Sequence, residues 1–149
     1  MSANPALAPR TAEPLLLQSR NGGVVTLTMN RPEQYNALSE ERLADLQATL
    51  EAIEQDASAR VVVIAGSGKA FCAGHDLKQM RARPEKAYYA QLFATCSKFM
   101  LTLARMPQPV IARVHGIATA AGCQLVAACD LAVAAEEAKF AVSGINVGL

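Results

Sequence analysis

Two glycine-containing turns carry the residues of this sequence whose types and spacing could do chemistry. One spans residues 70–77 and the other residues 115–124, and each follows a β-branched run typical of a buried strand. Small side chains let a ligand approach the main chain, and a turn that leads into a helix presents N–H groups without partners in that helix. Two converging donors would stabilise a developing oxyanion by several kcal/mol. The alternative is that the small residues only allow a helix to pack tightly against a strand.

Other familiar catalytic and ligand-binding patterns are missing from the sequence. Residues 66–69 (GSGK) follow a predicted strand, but the P-loop positions that need Gly and Ser or Thr hold Val63 and Ala70. The Gly-x-Ser-x-Gly nucleophile motif is absent. The four cysteines form no C-x-x-C pair, and His75 and His115 lie 40 residues apart. We therefore expect neither a metal site nor a disulfide framework.

Composition narrows the class of function. The chain has 149 residues with 14 Lys+Arg and 13 Asp+Glu, and this near-neutral balance gives no support to nucleic-acid binding. The apolar fraction of 52% is slightly high for a lone domain and indicates surface that meets a partner or another segment. Gly122, Gln124 and Asp130 interrupt the apolar residues 117–135, so we expect buried elements and no membrane span. Residues 1–14 contain no apolar stretch of the kind that a secretory signal needs. We also expect the thiols to be reduced and buried, so the sequence predicts a cytoplasmic protein.

Alternating strands and helices must position the two turns. An Asn-Gly turn over residues 20–22 predicts a hairpin between strands 15–19 and 23–30. Ser39 is a candidate N-cap for a helix that ends near residue 56. The other predicted elements are strands over 61–65, 110–114, 131–134 and 139–141, a helix from about Pro84 to the prolines at 107 and 109, and a short helix over 120–128. The pattern predicts an α/β fold with parallel pairing over residues 14–149, preceded by a flexible tail over residues 1–13.

Six stretches of the sequence occur in an order and spacing that resemble one family of enzymes. They are residues 30–38 (NRPEQYNAL), 61–66 (VVVIAG), 70–78 (AFCAGHDLK), 109–116 (PVIARVHG), 122–125 (GCQL) and 129–132 (CDLA). In these stretches the chain resembles the crotonase superfamily of enoyl-CoA hydratases and isomerases. The resemblance implies a spiral of ββα units with a CoA thioester lying across it. It also implies that the chain is the N-terminal part of the family domain, ending before the helices that cover the acyl pocket and build a trimer or hexamer.

The resemblance also assigns roles to particular residues. The main-chain N–H groups of His75 and Ala121 would grip the thioester carbonyl, although the second position is commonly glycine in the family. The implied substrate-binding residues are Ala37, Leu38, Ala73, Gly74, Asp76, Leu77, Lys78, Gly116 and Gly122. Lys78 could face the CoA phosphates as a point charge or simply be solvated. We expect Asp76 and Asp130 to cap or hydrogen-bond the main chain rather than catalyse. The resemblance implies no metal, and no cofactor besides CoA itself, which is part of the substrate or ligand.

Two departures from the family pattern limit the chemistry. Hydratases of this family use two glutamates, and their positions hold Gln124 and Gly144 here. Neither residue can act as a general acid or base, a role worth roughly 10²–10⁴-fold in rate. Gln124 could still orient a water. The His75 imidazole has a pKa suited to proton transfer, but a packed or solvent-facing ring is the favoured interpretation.

Two functions therefore remain open. The retained turns favour an acyl-CoA-processing enzyme of the lyase or isomerase type that stabilises a thioester enolate. The lost glutamates favour a non-catalytic acyl-CoA binder that modulates fatty-acid metabolism, and they predict weak hydration of enoyl-CoA.

Overall fold

The computed structural model describes residues 13–148, so the predicted tail lies outside the described residues except for its last one. The strands in this range are β1 (Leu16–Asn21), β2 (Val24–Met29), β3 (Val61–Gly66), β4 (Ala70–Cys72), β5 (Val110–Val114), β6 (Ile117–Thr119), β7 (Leu131–Ala134) and β8 (Lys139–Ala141). The helices are α1 (Glu40–Glu54), α2 (Leu77–Ala82), α3 (Lys86–Arg105) and α4 (Ala121–Ala128), with 3-10 turns at Pro32–Gln34 and Ser143–Val147.

The strands form two sheets that the chain visits in turn. The larger sheet has the order β1-β2-β3-β5-β7, and the smaller has the order β4-β6-β8. From β3 onward, each circuit places one strand in the larger sheet and the next in the smaller one, and helices return the chain between circuits. All neighbours are parallel except β1 and β2. This repeated strand–strand–helix path confirms the predicted α/β spiral.

The predicted hairpin and the predicted cap of the first helix are both present, and only the position of the hairpin turn differs. The β1–β2 hairpin closes on the pair Asn21 and Val24, so its two-residue turn is Gly22-Gly23 rather than residues 20–22. Gly22 has a φ of +56°, which a residue without a side chain adopts at little cost. The Ser39 side chain accepts a hydrogen bond from the main-chain N–H of Arg42, which confirms the predicted cap of α1.

Three short elements contradict the sequence prediction. The small residues around 71–77 and 115–119 predict loops, but these segments contain β4, the start of α2, and β6. Strands of three residues are too short to show alternation, and their partners lie far along the chain, so local sequence gives little sign of them. Asp76 starts α2 by accepting hydrogen bonds from the main-chain N–H groups of Lys78 and Gln79.

One apolar core supports both sheets. Its buried residues include Leu27, Ile64 and Ala112 of the larger sheet and Phe71 of β4. Along α1 the buried apolar residues recur at helical spacing, namely Leu43, Leu46, Leu50 and Ile53. Helices α1 and α3 lie against each other, and Gln47 donates a hydrogen bond to the Thr102 hydroxyl at 2.9 Å between them. Within residues 13–148, no helix is both long and apolar enough to cross a membrane.

Candidate active site

The two glycine-containing turns lie side by side. A methyl group placed on Gly74 would lie 3.1 Å from the main-chain nitrogen of Ala121 and 3.0 Å from the carbonyl oxygen of Thr119. Gly74 has a φ of +90°, in the region that favours glycine. The Thr119 hydroxyl donates a hydrogen bond to the Ala73 carbonyl at 3.1 Å, which ties the turns together. Two segments more than 40 residues apart in sequence therefore meet at one place.

The main-chain N–H groups of His75 and Ala121, one from each turn, are both free at this meeting point. The bridge between Leu38 and His75 uses the N–H groups of Leu38 and Asp76, and no acceptor within residues 13–148 receives the N–H of His75. Ala121 is the first residue of α4, where an N–H has no intrahelical partner, and it too has no acceptor in that range. The preceding residue, Ala120, has a φ of +50°, an uncommon conformation for a residue with a side chain.

A cavity of about 1050 Å³ adjoins these N–H groups. Eight of the predicted site residues line it: Ala37, Ala73, His75, Asp76, Leu77, Lys78, Ala121 and Gln124. The segment 142–146 beyond β8 also lines the cavity and contains Gly144, which the sequence analysis singles out. The sequence prediction gives no role to two other parts of the wall, namely Phe93, Cys96 and Ser97 of α3 and Gln34 after β2. Only their place in the fold reveals them, because α3 carries an ordinary apolar stripe in the sequence.

Four predicted substrate-binding residues lie outside the cavity wall: Leu38, Gly74, Gly116 and Gly122. Leu38 is buried in the core. A methyl group on Gly122 would lie 2.1 Å from the Cys72 carbonyl oxygen, and one on Gly116 would lie 2.3 Å from that of Lys69. The tight-packing interpretation therefore describes these two glycines, and of the two only Gly122 is adjacent to a residue with a free N–H, Ala121.

Asn36 holds the first part of the wall, and the sequence pattern gives it no such role. Its amide is fully buried and donates hydrogen bonds at 2.8 Å to the carbonyl groups of Ser67 and Ala70. Its side-chain oxygen accepts the main-chain N–H of Arg31 at 2.9 Å. The segment 30–38 is thereby fixed against the β3–β4 turn, which positions Ala37.

The two positions at which the resemblance implies glutamates both lie on the cavity wall, but neither supplies a carboxylate. Gln124 stands on α4, and Gly144 lies in the segment after β8. The Asp76 carboxylate accepts the N–H groups of Lys78 and Gln79 at 2.9 and 3.0 Å, as expected for a cap. Asp130 accepts the main-chain N–H of Val110 at 2.8 Å, which confirms its structural role.

His75 is the histidine among the residues that line the cavity. It is half-buried, and it meets the Phe93 ring edge to face with centroids 5.3 Å apart. Its Nδ1 is buried and has no hydrogen-bond partner in the described part of the chain. Burial lowers the pKa of His75 below its ordinary value, and a contact with the Leu38 main chain opposes this effect only in part. The ring is therefore neutral at pH 7.

The four cysteines are free, and the ones with perturbed acidity are less acidic than usual. Burial raises the pKa of Cys72 and of Cys96 to about 11, and that of Cys129 to about 12. These three side chains are thiols at neutral pH, so they add apolar surface rather than nucleophiles.

Comparison with known proteins decides the family. Residues 19–149 match the sequence profile of the enoyl-CoA hydratase/isomerase family. The chain belongs to the enoyl-CoA hydratase/isomerase family, within the crotonase superfamily. A crystal structure of an enoyl-CoA hydratase from Mycobacterium smegmatis matches with a TM-score of 0.90 and 67% identity, covering 92% of this chain and 54% of that one.

Two curated relatives also match this chain over nine-tenths or more of its length. The human mitochondrial enoyl-CoA hydratase domain-containing protein 3 is 41% identical over 99% of this chain and 50% of its own length. The 2,3-dehydroadipyl-CoA hydratase of Escherichia coli is 40% identical over 90% of this chain and 51% of its own length. The chain thus spans about half the length of the curated relatives that it matches.

Proposed function

We propose that the chain binds an acyl-CoA thioester in the cavity and stabilises its enolate form through the N–H groups of His75 and Ala121. The observation that carries this proposal is the pair of free N–H groups on adjacent turns beside one cavity. Negative charge that develops on the thioester oxygen is stabilised best by donors that are already in place, because they need no reorganisation.

The remaining wall suits the two ends of such a ligand. Apolar side chains, among them Phe93, Ala127 and Val142, offer surface for an acyl chain. Lys78 supplies a positive charge at the same cavity and is the candidate contact for the CoA phosphates. CoA enters as part of the ligand, and the proposed function uses no separate cofactor.

Within this function, an isomerase or another enolate chemistry is favoured over ordinary hydration. Hydration needs an acid and a base to add water across the double bond, and Gln124 and Gly144 can be neither. The same two residues favour a second candidate, a non-catalytic acyl-CoA binder in fatty-acid metabolism. The two candidates share the binding step and differ only in turnover.

Calorimetry and a turnover screen separate these candidates. We expect butyryl-CoA to bind more tightly than free CoA, and equal affinity would contradict the proposed acyl site. Conversion of any member of a panel of enoyl-, dienoyl- and malonyl-type CoA esters would support the enzyme, whereas binding without conversion would favour the modulator. The double variant Gln124→Glu with Gly144→Glu should raise crotonyl-CoA hydration. No gain would mean that these positions do not face the double bond.

Assembly and location are further parts of the proposal. Strand β7 is an edge strand whose Leu131 and Val133 are 62% and 64% exposed, which suits a trimeric or hexameric assembly. Sedimentation measures that oligomeric state directly.

The cytoplasmic location stays a prediction, which fractionation of the native cells tests. The name of the human relative gives a mitochondrial location, which is the alternative outcome.

A further inference from the structure

His75 lines the cavity, yet the proposed function uses only the main-chain N–H of this residue. Because ring and N–H belong to one residue, the side chain branches from the main-chain segment that would hold the thioester oxygen. The α-carbon of the acyl group is bonded to the thioester carbonyl, so it would also lie near His75.

The ring has a defined orientation. Phe93 packs against it edge to face, with the two ring planes at 75°. Nδ1 is the buried nitrogen and has no hydrogen-bond partner within residues 13–148. The neighbouring Leu38 main chain favours a proton on the ring. Nδ1 is the buried nitrogen, so Nε2 is the nitrogen left to meet a ligand, and in the tautomer with its proton on Nδ1 the Nε2 lone pair is free.

Four other residues with titratable side chains line the cavity: Asp76, Lys78, Cys96 and Cys123. The Asp76 carboxylate is occupied as the cap of α2, and burial raises the pKa of Cys96 to about 11. Lys78 lies in the first turn of α2 and is already assigned to the CoA phosphates under the proposed function, and Cys123 lies in the first turn of α4. Burial keeps the His75 ring neutral at pH 7, so it is able to accept a proton.

We propose that Nε2 of His75 is the catalytic base that removes the α-proton of the bound acyl thioester. This inference rests on the proposed function. The electron pair of the α C–H bond forms the enolate C=C bond, and the carbonyl π pair moves onto the oxygen that faces the N–H groups of His75 and Ala121. The proton forms an Nε2–H bond and makes the ring an imidazolium. The reverse step returns a proton to the carbon, so no other reactant is consumed.

The test is hydrogen exchange in D2O with 3-butenoyl-CoA, whose α-proton is acidified by both the carbonyl and the double bond. Mass spectrometry follows deuterium uptake, and calorimetry follows binding. The variant His75→Gln keeps the main-chain N–H but cannot take up a proton. The matched control is His115→Gln, because His115 does not line the cavity and its Nε2 meets the Gly68 carbonyl at 2.7 Å.

We expect His75→Gln to slow exchange at least ~100-fold, the lower end of what a general base contributes, with acyl-CoA affinity within about threefold of the wild type. His115→Gln should exchange at the wild-type rate. The wild-type rate should rise with pH through an inflection below the ordinary imidazole pKa of about 6.5 and then level off. This profile needs no variant, so it tests the proposal even if His75→Gln misfolds.

The possible failures are distinguishable. If the wild-type chain does not bind acyl-CoA, both the proposed function and this inference are wrong. If it binds but shows no exchange, or if His75→Gln binds and exchanges at the wild-type rate, the acyl-CoA site stands and the role of His75 is overturned. A wild-type rate without the inflection also overturns that role.

Discussion

Replacing Gly122 with alanine tests the packing that brings the two turns together. The added methyl would lie 2.1 Å from the Cys72 carbonyl oxygen, more than 1 Å inside ordinary contact, which begins at 3.4 Å, and 2.7 Å from the carbonyl carbon. Both colliding groups are tied to main chain, so no side chain can rotate away and α4 must move relative to β4. Overpacking costs roughly 1–3 kcal/mol, and a main-chain collision belongs at the upper end.

The helix propensity of alanine offsets part of this cost. Alanine in a helix is favoured over glycine by about 1 kcal/mol, so the net loss in the free energy of unfolding should be about 2 kcal/mol. Urea unfolding followed by circular dichroism measures this difference. An unchanged unfolding midpoint would refute the reasoning, because it would mean that α4 and β4 do not touch as described.

The same movement of α4 should also displace the N–H of Ala121 and weaken binding of the thioester carbonyl. A shift of more than 1 Å takes the N–H of Ala121 out of hydrogen-bond range, and one neutral hydrogen bond is worth about 1 kcal/mol. The preference for butyryl-CoA over its thioether analogue, which lacks the carbonyl, should fall about fivefold. Gly116→Ala is the matched control, because its methyl meets the Lys69 carbonyl oxygen at 2.3 Å away from the N–H pair. It should lose stability and keep the preference.

Three further predictions concern stability and assembly. Asp130→Ala removes the acceptor for the first N–H of β5, 2.8 Å away, and should lower the free energy of unfolding by about 1 kcal/mol in urea, whereas an unchanged value would show that water replaces the carboxylate. Hydrogen bonds from Ser58 and Arg20 lower the pKa of Asp56 to about 2, from an ordinary 3.8. Stability from this carboxylate is therefore complete above pH 4 and lost as the pH falls towards 2, and Asp56→Asn should flatten that part of the acid-unfolding curve. Val133→Lys on the exposed edge strand should weaken concentration-dependent association in sedimentation, and undiminished association would place the interface elsewhere.

Local signals in the sequence predict the parts of the fold that local physics decides. The cap at Ser39 and the β1–β2 hairpin depend on neighbouring residues, so the sequence alone indicates both. Strands β4 and β6 depend on parallel pairing across the chain, and the sequence contains mostly small residues where they form. Helix α2 is too short to show a periodic face, so the sequence predicts its capping aspartate, Asp76, without predicting the helix itself.

The candidate site divides in the same way. Both turns are visible in the sequence as small residues after buried strands, but their spacing leaves open whether they pack or present donors. The structure assigns the two properties to different residues: Gly122 packs, and the adjacent Ala121 keeps a free N–H. The sequence does not predict the α3 wall around Phe93, because a residue on an amphipathic stripe carries no sign of which cavity it faces.

The central claim is that two main-chain N–H groups hold a thioester carbonyl, and comparing two ligands by calorimetry tests it most directly. Butyryl-CoA and its thioether analogue share the nucleotide and the alkyl chain and differ in the carbonyl oxygen. Two neutral hydrogen bonds contribute roughly 1–3 kcal/mol, so butyryl-CoA should bind about 5- to 150-fold more tightly. Equal affinities would contradict the account, because the carbonyl would then have no donors in the site.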